Sequence, residues 1–570
     1  MKLSLGHHEL IPNSQGGACR NISSRNCAHT SPEHIFHILR LDLSASGLGL
    51  RAYTTLMRVV LALPLNISQM SITGPSQIPP SLSIPRCGGW LPEDTWILRT
   101  WLSNLVSHVD SIPKPLHAVI REAQTVIEDD AVLYMLFHDM FNQIPLQEAY
   151  ARDPFGSSQI RDYKHLLRLI NEIITRAPLF ADSELIGLPL NALLDWPMST
   201  PAGQTAFLSP KLNAQFSKVL DVWASYLSSP ASASVLNESQ TGWLGPPALT
   251  AIRNSTSSRR TPQWSFESTF VCNPHLKHFG FTSWDDFFTR RFRPGVRPIA
   301  SPLDSNVIVN PCECSPYRIY RNVRRVDRFW IKAQPYSLDH MLAHDKLGER
   351  FVGGTIYQAF LDAVNYHRWH APVTGVVKSV RIIPGTYFSQ VLGLGVPRSE
   401  VNVRKSSGHS ISTSLSSKET RNVEAGLGNV QCANQAYAAA VATRAVIMID
   451  TDNPVIGMIA LVFVGMAEVS TCDVQVVEGQ RLKKGDNIGT FRYGGSSVCM
   501  VIRRGIDLVW DLHGQDIGLG ARTIAVNARI AKLVVKKAEK IPRTERRRNV
   551  KARTQKEAYY GGWRGEALGM

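Results

Sequence analysis

The segment Gly494-Gly495-Ser496-Ser497 holds a peptide bond that could do chemistry. A serine hydroxyl can attack the carbonyl carbon of the residue before it, and a Gly-Ser bond is one that a protein can cut by itself to build a catalytic group. Glycine at 495 leaves that carbonyl free of a hindering side chain. Between apolar, strand-like runs, two glycines and two serines are also typical of a hairpin connection. These four residues alone favour the hairpin.

Three more residues could take part in such chemistry. A serine hydroxyl is a weak nucleophile that needs an adjacent base, and histidine is the usual general base. His367 and His370 lie in Asn365-Tyr366-His367-Arg368-Trp369-His370-Ala371-Pro372, and Asp304 closes Ser301-Pro302-Leu303-Asp304. The alternatives are two structural histidines and an ordinary turn aspartate. The basic run Phe287–Pro298 could likewise be a solvated face.

The cysteines and histidines do not form a metal-binding pattern. Nine cysteines are scattered along the chain, an odd number that is poor support for a disulfide framework and suits a reducing compartment. Cys312-Glu313-Cys314 is followed by no second pair at zinc-ribbon spacing, and the two histidines three residues apart miss the four-residue spacing of a helical metal pair. We therefore expect structural cysteines and no metal.

The elements that must position these residues fall into a helical part and a β-rich part. Apolar residues recur at helical spacing between Pro92 and Leu227, in Leu116–Ile127, Ala131–Phe141, Tyr163–Ile174 and Leu212–Leu227. After about residue 265 the segments become short and β-branched, as in Val307–Val309, Val376–Ile383 and Arg444–Ile449. The pattern predicts an α+β protein: a helical N-terminal domain over 86–262 and a β-rich domain over 263–535.

Three polar segments stand outside this pattern. Residues 1–85 are rich in Ser, Pro and Gly and contain only three carboxylates, which is typical of a disordered or targeting leader. A Ser-rich stretch from Pro397 to Val430 reads as a long surface loop inserted in the β-rich domain. From residue 536 to 570 the chain carries eleven Lys/Arg against four Asp/Glu, part of a net charge of +16, and reads as a basic disordered tail.

The composition also bounds partners and location. The sequence contains no run of about 18 uncharged apolar residues, so it predicts no membrane-spanning helix. The tail could be drawn to anionic lipid, whereas the absence of interleaved aromatic residues argues against nucleic acid. We expect a cytoplasmic protein, with a mitochondrial or peripheral membrane location as the alternative.

Taken together, these motifs resemble the phosphatidylserine decarboxylase family. The marks are FFTRRFRPGVRPI from Phe287, Pro302-Leu303-Asp304, Tyr336-Ser337-Leu338, NYHRWHAPVTG, Pro384–Gln390 and GGSS, in the family's order over about residues 280 to 505. Further marks, including LVFVGMAEVSTC from Leu461 to Cys472, bring the chain closest to a soluble branch that includes the L-tryptophan decarboxylase of psilocybin biosynthesis. Ser305 departs from the glycine that phospholipid-decarboxylating members usually carry after the aspartate.

The resemblance implies roles for the candidate residues. Ser496 would attack Gly495, with His370 as its base and Asp304 orienting the histidine. Cleavage would leave chains 1–495 and 496–570, and Ser496 would become a pyruvoyl group, so that neither pyridoxal phosphate nor a metal is required. The ketone would form a Schiff base with a primary amine, and His370 or His367 would protonate the product after carbon dioxide leaves.

Three functions are compatible with that resemblance. The favoured one is decarboxylation of a free aromatic L-amino acid such as tryptophan, in line with the soluble branch. The second is a phosphatidylserine decarboxylase that makes phosphatidylethanolamine, and the third is a non-catalytic relative acting as a binding module. The partners are accordingly a small amino acid or phosphatidylserine and the chain's own two pieces. A peripheral membrane contact and a homo-oligomer stay open.

Overall fold

The computed structural model describes residues 95–144, 159–180, 188–256, 264–326, 336–389, 430–465, 468, 471–493, 496–518 and 521–534. Several predicted features lie outside these residues, namely the leader over 1–85, nearly all of the inserted loop, the basic tail over 536–570, and Gly495 of the predicted cleavage site.

The first part of the described chain is helical, as the apolar spacing predicts. Its helices are α1 (Thr95–Ser111), α2 (Ala118–Glu128), α3 (Ala131–Gln143), α4 (Tyr163–Ile173), α5 (Pro189–Met198), α6 (Pro201–Phe207), α7 (Pro210–Leu227) and α8 (Pro246–Thr256). The Asp130 carboxylate caps α3 by accepting from the amides of Val132 and Leu133, and Ser209 caps α7 ahead of a proline at its first position. Local sequence therefore defines where these helices begin.

Short helical segments accompany the β-rich part. They are α9 (Phe266–Thr269), α10 (Trp284–Phe288), α11 (Leu338–Met341) and α12 (Val430–Val441), with 3₁₀ turns at Pro230–Val235, Lys277–Gly280 and Lys346–Phe351. Helix α12 begins at Val430, where the sequence predicts the end of the inserted loop.

A seven-stranded antiparallel sheet forms the centre of the β-rich part. Its order is β2-β3-β11-β7-β6-β5-β9. The strands are β2 (Ser315–Arg321), β3 (Thr355–Leu361), β5 (Gly375–Ile383), β6 (Arg444–Thr451), β7 (Met458–Gly465), β9 (Arg481–Leu482) and β11 (Ser496–Ile502). Every residue of β7 and β11 is buried, because both faces of the sheet are covered and neither strand faces solvent.

Two small antiparallel sheets complete the fold. One has the order β1-β13-β12 and the other β4-β10-β8. Their strands are β1 (Val307–Val309), β4 (Arg368–His370), β8 (Thr471–Val474), β10 (Asn487–Arg492), β12 (Leu508–Trp510) and β13 (Arg529–Leu533). The α+β class predicted from the sequence is confirmed.

The strands that flank Gly494-Gly495 do not pair with each other. Strand β10 pairs with β4 and β8, whereas β11 lies between β3 and β7 in the large sheet. The chain therefore crosses from one sheet to another just before Ser496. The hairpin that the four small residues favour on their own is wrong, because the apolar runs on either side belong to different sheets.

Three apolar clusters hold these layers together. The largest joins α2–α8 to aromatic side chains of the β-rich part, including Phe288, Tyr366, Phe388 and Tyr493. The other two cover the opposite faces of the large sheet. Helical and β-rich parts thus share a core, and the described residues all fall within one compact unit. Among the described helices, none is long and apolar enough to cross a membrane.

Candidate active site

Arg290 of the basic run is a structural anchor rather than part of a solvated face. Arg290 is 3% exposed, and its guanidinium lies 4.6 Å from the ring centre of Phe270. It donates to the carbonyls of Val364 and Asn365 at 2.7 and 3.2 Å. In return, Arg368 Nε donates to the carbonyl of Thr289 at 2.7 Å. The basic run therefore fixes the approach of the chain to both candidate histidines.

His370 ends strand β4, and both of its ring nitrogens are engaged. Nδ1 lies 2.8 Å from the carbonyl oxygen of Gly485, and Nε2 lies 2.9 Å from the hydroxyl of Tyr366. A carbonyl oxygen can only accept, so the neutral ring carries its proton on Nδ1. Nε2 then accepts from Tyr366, whose pKa is raised by burial. His370 is thus held with Nε2 as its basic atom.

The surroundings of His370 favour its neutral form. Burial lowers the pKa of His370, which outweighs the opposing effect of its hydrogen bond to the Gly485 carbonyl. A neutral imidazole is the form that can take a proton from a serine hydroxyl. In this arrangement the basic nitrogen is occupied by Tyr366, so the hydroxyl must release it before His370 can act on another group.

Asp304 lies in a tight turn just before β1. Its carboxylate accepts from the amide of Asn306 at 3.0 Å and lies 3.3 Å from Lys532 Nζ, and these contacts lower the pKa of Asp304. Ser305, which replaces the expected glycine, does not have a positive φ; the left-handed position of this turn is Ser301, at φ 49°. Serine therefore fits at 305 without backbone strain.

One turn connects Asp304 with His370. Lys484 is 4% exposed, and its Nζ donates to the backbone carbonyls of Ser301 and Asp304 at 2.9 and 2.8 Å. The next residue, Gly485, supplies the carbonyl that fixes His370. Lys484 therefore fixes the turn that carries Asp304, and Gly485 fixes which ring nitrogen of His370 carries the proton.

Ser496 begins β11, at the centre of the large sheet. It pairs with Leu361 of β3 and Gly465 of β7 and is fully buried. Its Oγ has no hydrogen-bond partner among the described residues. Buried polar atoms without partners are rare and call for a chemical reason.

The described residues contain no direct hydrogen bond between Asp304, His370 and Ser496. The Asp304 carboxylate contacts Asn306 and Lys532 instead of the imidazole. The structure thus brings Asp304 and His370 against the same turn without pairing them. Their predicted catalytic roles stay predictions.

His367 is fully buried on the other side of this segment. Its ring stacks on Phe288, with ring centres 4.4 Å apart, and Phe288 in turn contacts Tyr493 at 5.5 Å. The His367 carbonyl accepts from the Phe491 amide at 3.0 Å. These contacts join His367 to the end of β10, four residues before Ser496.

Two further motifs from the sequence make contacts that support the fold around the site. The Tyr336 hydroxyl bonds to Gln358 Oε1, and Gln358 Nε2 donates to Ser497 Oγ at 3.2 Å. In the Pro384–Gln390 motif, the Tyr387 amide donates to Asn213 Oδ1 of α7 at 3.0 Å. The first motif braces strand β11 next to the candidate serine, and the second ties the β-rich part to the helices.

Sequence reasoning did not single out Tyr366, Lys484 or Glu468. Lys484 belongs to a Lys-Gly-Asp-Asn segment that reads only as a turn signal, and Tyr366 lies in the histidine motif with no spacing that marks it as functional. Glu468 is an acid inside an otherwise apolar run, which was the available signal. No group of histidine, cysteine and carboxylate side chains suited to a metal ion occurs in the described part of the chain.

Comparisons with known proteins identify the family of this chain. Two family models described as phosphatidylserine decarboxylase match residues 117–252 and 284–525. The chain is 39% identical to the decarboxylase iboD of Amanita muscaria, over 55% of this chain and 83% of that protein. It is 33% identical to an L-tryptophan decarboxylase of Psilocybe cyanescens, over 73% of this chain and 88% of that protein.

A more distant match shows how far the likeness extends. Phosphatidylserine decarboxylase proenzyme 3 of Schizosaccharomyces pombe is 26% identical over 38% of this chain and 18% of that protein. The family is pyruvoyl-dependent, and its matched models cover both the helical and the β-rich parts. The chain therefore belongs to the phosphatidylserine decarboxylase family and is a carboxy-lyase.

Proposed function

We propose that the chain cuts itself between Gly495 and Ser496 and then removes the α-carboxylate of a free aromatic L-amino acid such as tryptophan. The observation that carries the cleavage is the Ser496 hydroxyl, which is fully buried and has no partner among the described residues. Such a hydroxyl is available to react at the head of a central strand.

In the proposed cleavage, His370 Nε2 takes the proton of Ser496 Oγ once the Tyr366 hydroxyl has released it. Oγ bonds to the Gly495 carbonyl carbon, His370 returns the proton to the Ser496 nitrogen, and the Gly495–Ser496 C–N bond breaks to give an ester and a free amine. Loss of the Ser496 α-proton breaks the Cβ–O bond and frees the Gly495 carboxylate. Hydrolysis of the remaining enamine releases ammonia and leaves a pyruvoyl group on chain 496–570. One water molecule supplies the ketone oxygen as ammonia leaves, so the cleavage needs no oxidant.

A pyruvoyl group supplies an electrophilic ketone that condenses with a primary amine and draws in the electron pair released with carbon dioxide. The surrounding residues then have three tasks: to orient the amino acid, to exclude water, and to return a proton to the product carbon. The neutral His370 and the buried His367 are the candidates for the last task.

The substrate part of the proposal is supported by the extent of the likeness. The relatives that cover most of both chains include proteins named for tryptophan, whereas those named for phosphatidylserine match a shorter part of this chain. We therefore favour a free amino acid over a phospholipid.

Carbon dioxide release tests this proposal. Purified protein is incubated with L-tryptophan, L-phenylalanine, L-tyrosine or phosphatidylserine vesicles, with Ser496→Ala as the matched control. We expect release from an aromatic amino acid by the wild-type protein and none by the variant. Carbon dioxide release from the phosphatidylserine vesicles alone would overturn the proposed amino-acid substrate. No release from any of these substrates would overturn the proposed decarboxylase function.

A further inference from the structure

Glu468 caps a helix from a distant part of the chain. Helix α5 begins after Leu188, which has no side chain able to accept from the free amides of the first turn. Glu468 Oε1 takes over this role, accepting from the Asn191 amide at 2.8 Å across 277 positions of sequence. The contact needs only one of the two carboxylate oxygens.

Four polar atoms near this cap lack partners. Glu468 Oε2, Asn191 Nδ2 and both carboxylate oxygens of Asp195 make no hydrogen bond among the described residues. Their side chains are well inside the protein, at 2%, 3% and 0% exposure. Asn191 and Asp195 are four residues apart and lie on the same face of α5. Buried polar atoms without partners are rare, so the unpaired atoms of Glu468 and of this face of α5 indicate a ligand that supplies the missing partners.

The cluster lies beside the proposed reaction centre. The Glu468 carbonyl accepts from the Tyr493 amide at 3.4 Å, and Tyr493 is three residues before Ser496. Glu468 also follows Gly465 by three residues, and Gly465 pairs directly with Ser496. Three residues span at most about 11 Å of chain, so a side chain of amino-acid size bridges this gap.

The chemistry of the cluster selects its ligand. Three of the four atoms are carboxyl oxygens, which can accept hydrogen bonds and which repel anions when ionised. Burial raises the pKa of Glu468 to about 7 and that of Asp195 to about 8. A donor group on the ligand would stabilise the ionised carboxylate, whereas the phosphodiester of a phospholipid would oppose it.

We propose that Glu468, with Asn191 beside it and Asp195 one turn further along α5, is a specificity site that accepts a hydrogen bond from an N–H donor on the side chain of a free amino acid. The indole nitrogen of tryptophan is such a donor. The inference rests on the proposed function and adds to it the group by which the substrate is recognised.

Binding tests the proposal separately from catalysis. The processed protein is first treated with borohydride, which reduces its ketone so that no substrate amine can condense with it. Calorimetry then gives the Kd of L-tryptophan and of 3-benzothienylalanine, in which sulfur replaces the indole N–H. An unpaired buried acceptor weakens binding by roughly 5- to 150-fold, and we expect the analogue to bind weaker within this range.

The Glu468→Gln variant assigns the effect to this residue. Glutamine keeps an oxygen for the α5 cap and replaces Oε2 with an NH₂ donor, so the variant should bind the two ligands within about 2-fold of each other. Glu238→Gln, on the exposed surface, is the control and should keep the wild-type preference. Asp195→Asn, expected to reduce the preference, carries the test if Glu468→Gln does not fold.

The outcomes separate the two proposals. Equal binding of both ligands by the wild-type protein, or an unchanged preference in a folded Glu468→Gln variant, would overturn the specificity site and leave the decarboxylase intact. Faster decarboxylation of phosphatidylserine vesicles than of tryptophan would also overturn it. A wild-type protein that never cleaves would instead overturn the proposed function.

Discussion

Replacing Lys484 with methionine should slow self-cleavage strongly. The Lys484 ammonium donates to the carbonyls of Ser301 and Asp304 at 2.9 and 2.8 Å and thereby fixes the turn that carries the Asp304 carboxylate. Methionine retains the length of the alkyl chain and removes both donors. Each hydrogen bond from a charged group contributes about 1.5–3 kcal/mol, and because this turn is partly exposed we take roughly 2–4 kcal/mol for the pair.

That loss would make the ordered Asp304 turn less populated. At about 1.4 kcal/mol per factor of ten, cleavage should slow by roughly 30- to 700-fold. The cleaved fraction is followed by intact-mass analysis after expression, with the melting temperature showing that the variant is folded. Lys483→Met changes the neighbouring exposed lysine and should cleave like the wild type. A folded Lys484→Met variant that cleaves at the wild-type rate would refute the role of this turn.

Three further outcomes are expected. Tyr366→Phe frees the basic nitrogen of His370 from a hydrogen bond worth about 0.5–1.5 kcal/mol, so cleavage should accelerate roughly 2- to 12-fold in a time course; slower cleavage would show that the hydroxyl assists instead. Burial lowers the pKa of His370, so its neutral form persists below the ordinary histidine pKa of about 6.5. The cleavage rate should therefore stay level from pH 8 to about pH 6.5. A decline in rate between pH 8 and about pH 7 would contradict this. Glu313→Gln leaves the buried Arg297 guanidinium without its carboxylate partner. Urea titrations should show that the free energy of unfolding falls by about 3–5 kcal/mol. The exposed control Glu238→Gln should change that free energy by less than about 0.5 kcal/mol.

Local patterns predict most of the helical part. The periodic runs Ala131–Phe141, Tyr163–Ile174 and Leu212–Leu227 correspond to α3, α4 and α7 within a few residues. These helices have one apolar face, and in α3 and α7 a side chain next to the first turn also caps the helix, so the information lies within each segment.

The partners of the strands were not predictable in the same way. The apolar runs on both sides of Gly494-Gly495 predict two strands, and both exist as β10 and β11. Their assignment to separate sheets depends on pairing with β4, β8, β3 and β7, which are distant in sequence. A turn signal carries no information about such long-range pairing.

The candidate site shows the same division. Its motifs identify Asp304, His370 and Ser496, but the residues that hold them come from elsewhere. Lys484 reaches Asp304 across 180 positions, and the Glu468 cap of α5 spans 277. Such contacts arise from packing of the finished fold, and a single sequence contains no period or spacing that would reveal them.

Intact-mass analysis of the purified protein under denaturing conditions shows whether the chain cuts itself at Gly495–Ser496. We expect two chains, residues 1–495 and 496–570, with a pyruvoyl group blocking the N-terminus of the smaller one. The Ser496→Ala variant should stay whole. A wild-type protein that remains a single uncut chain of 63.3 kDa would mean that the proposed self-cleavage does not occur.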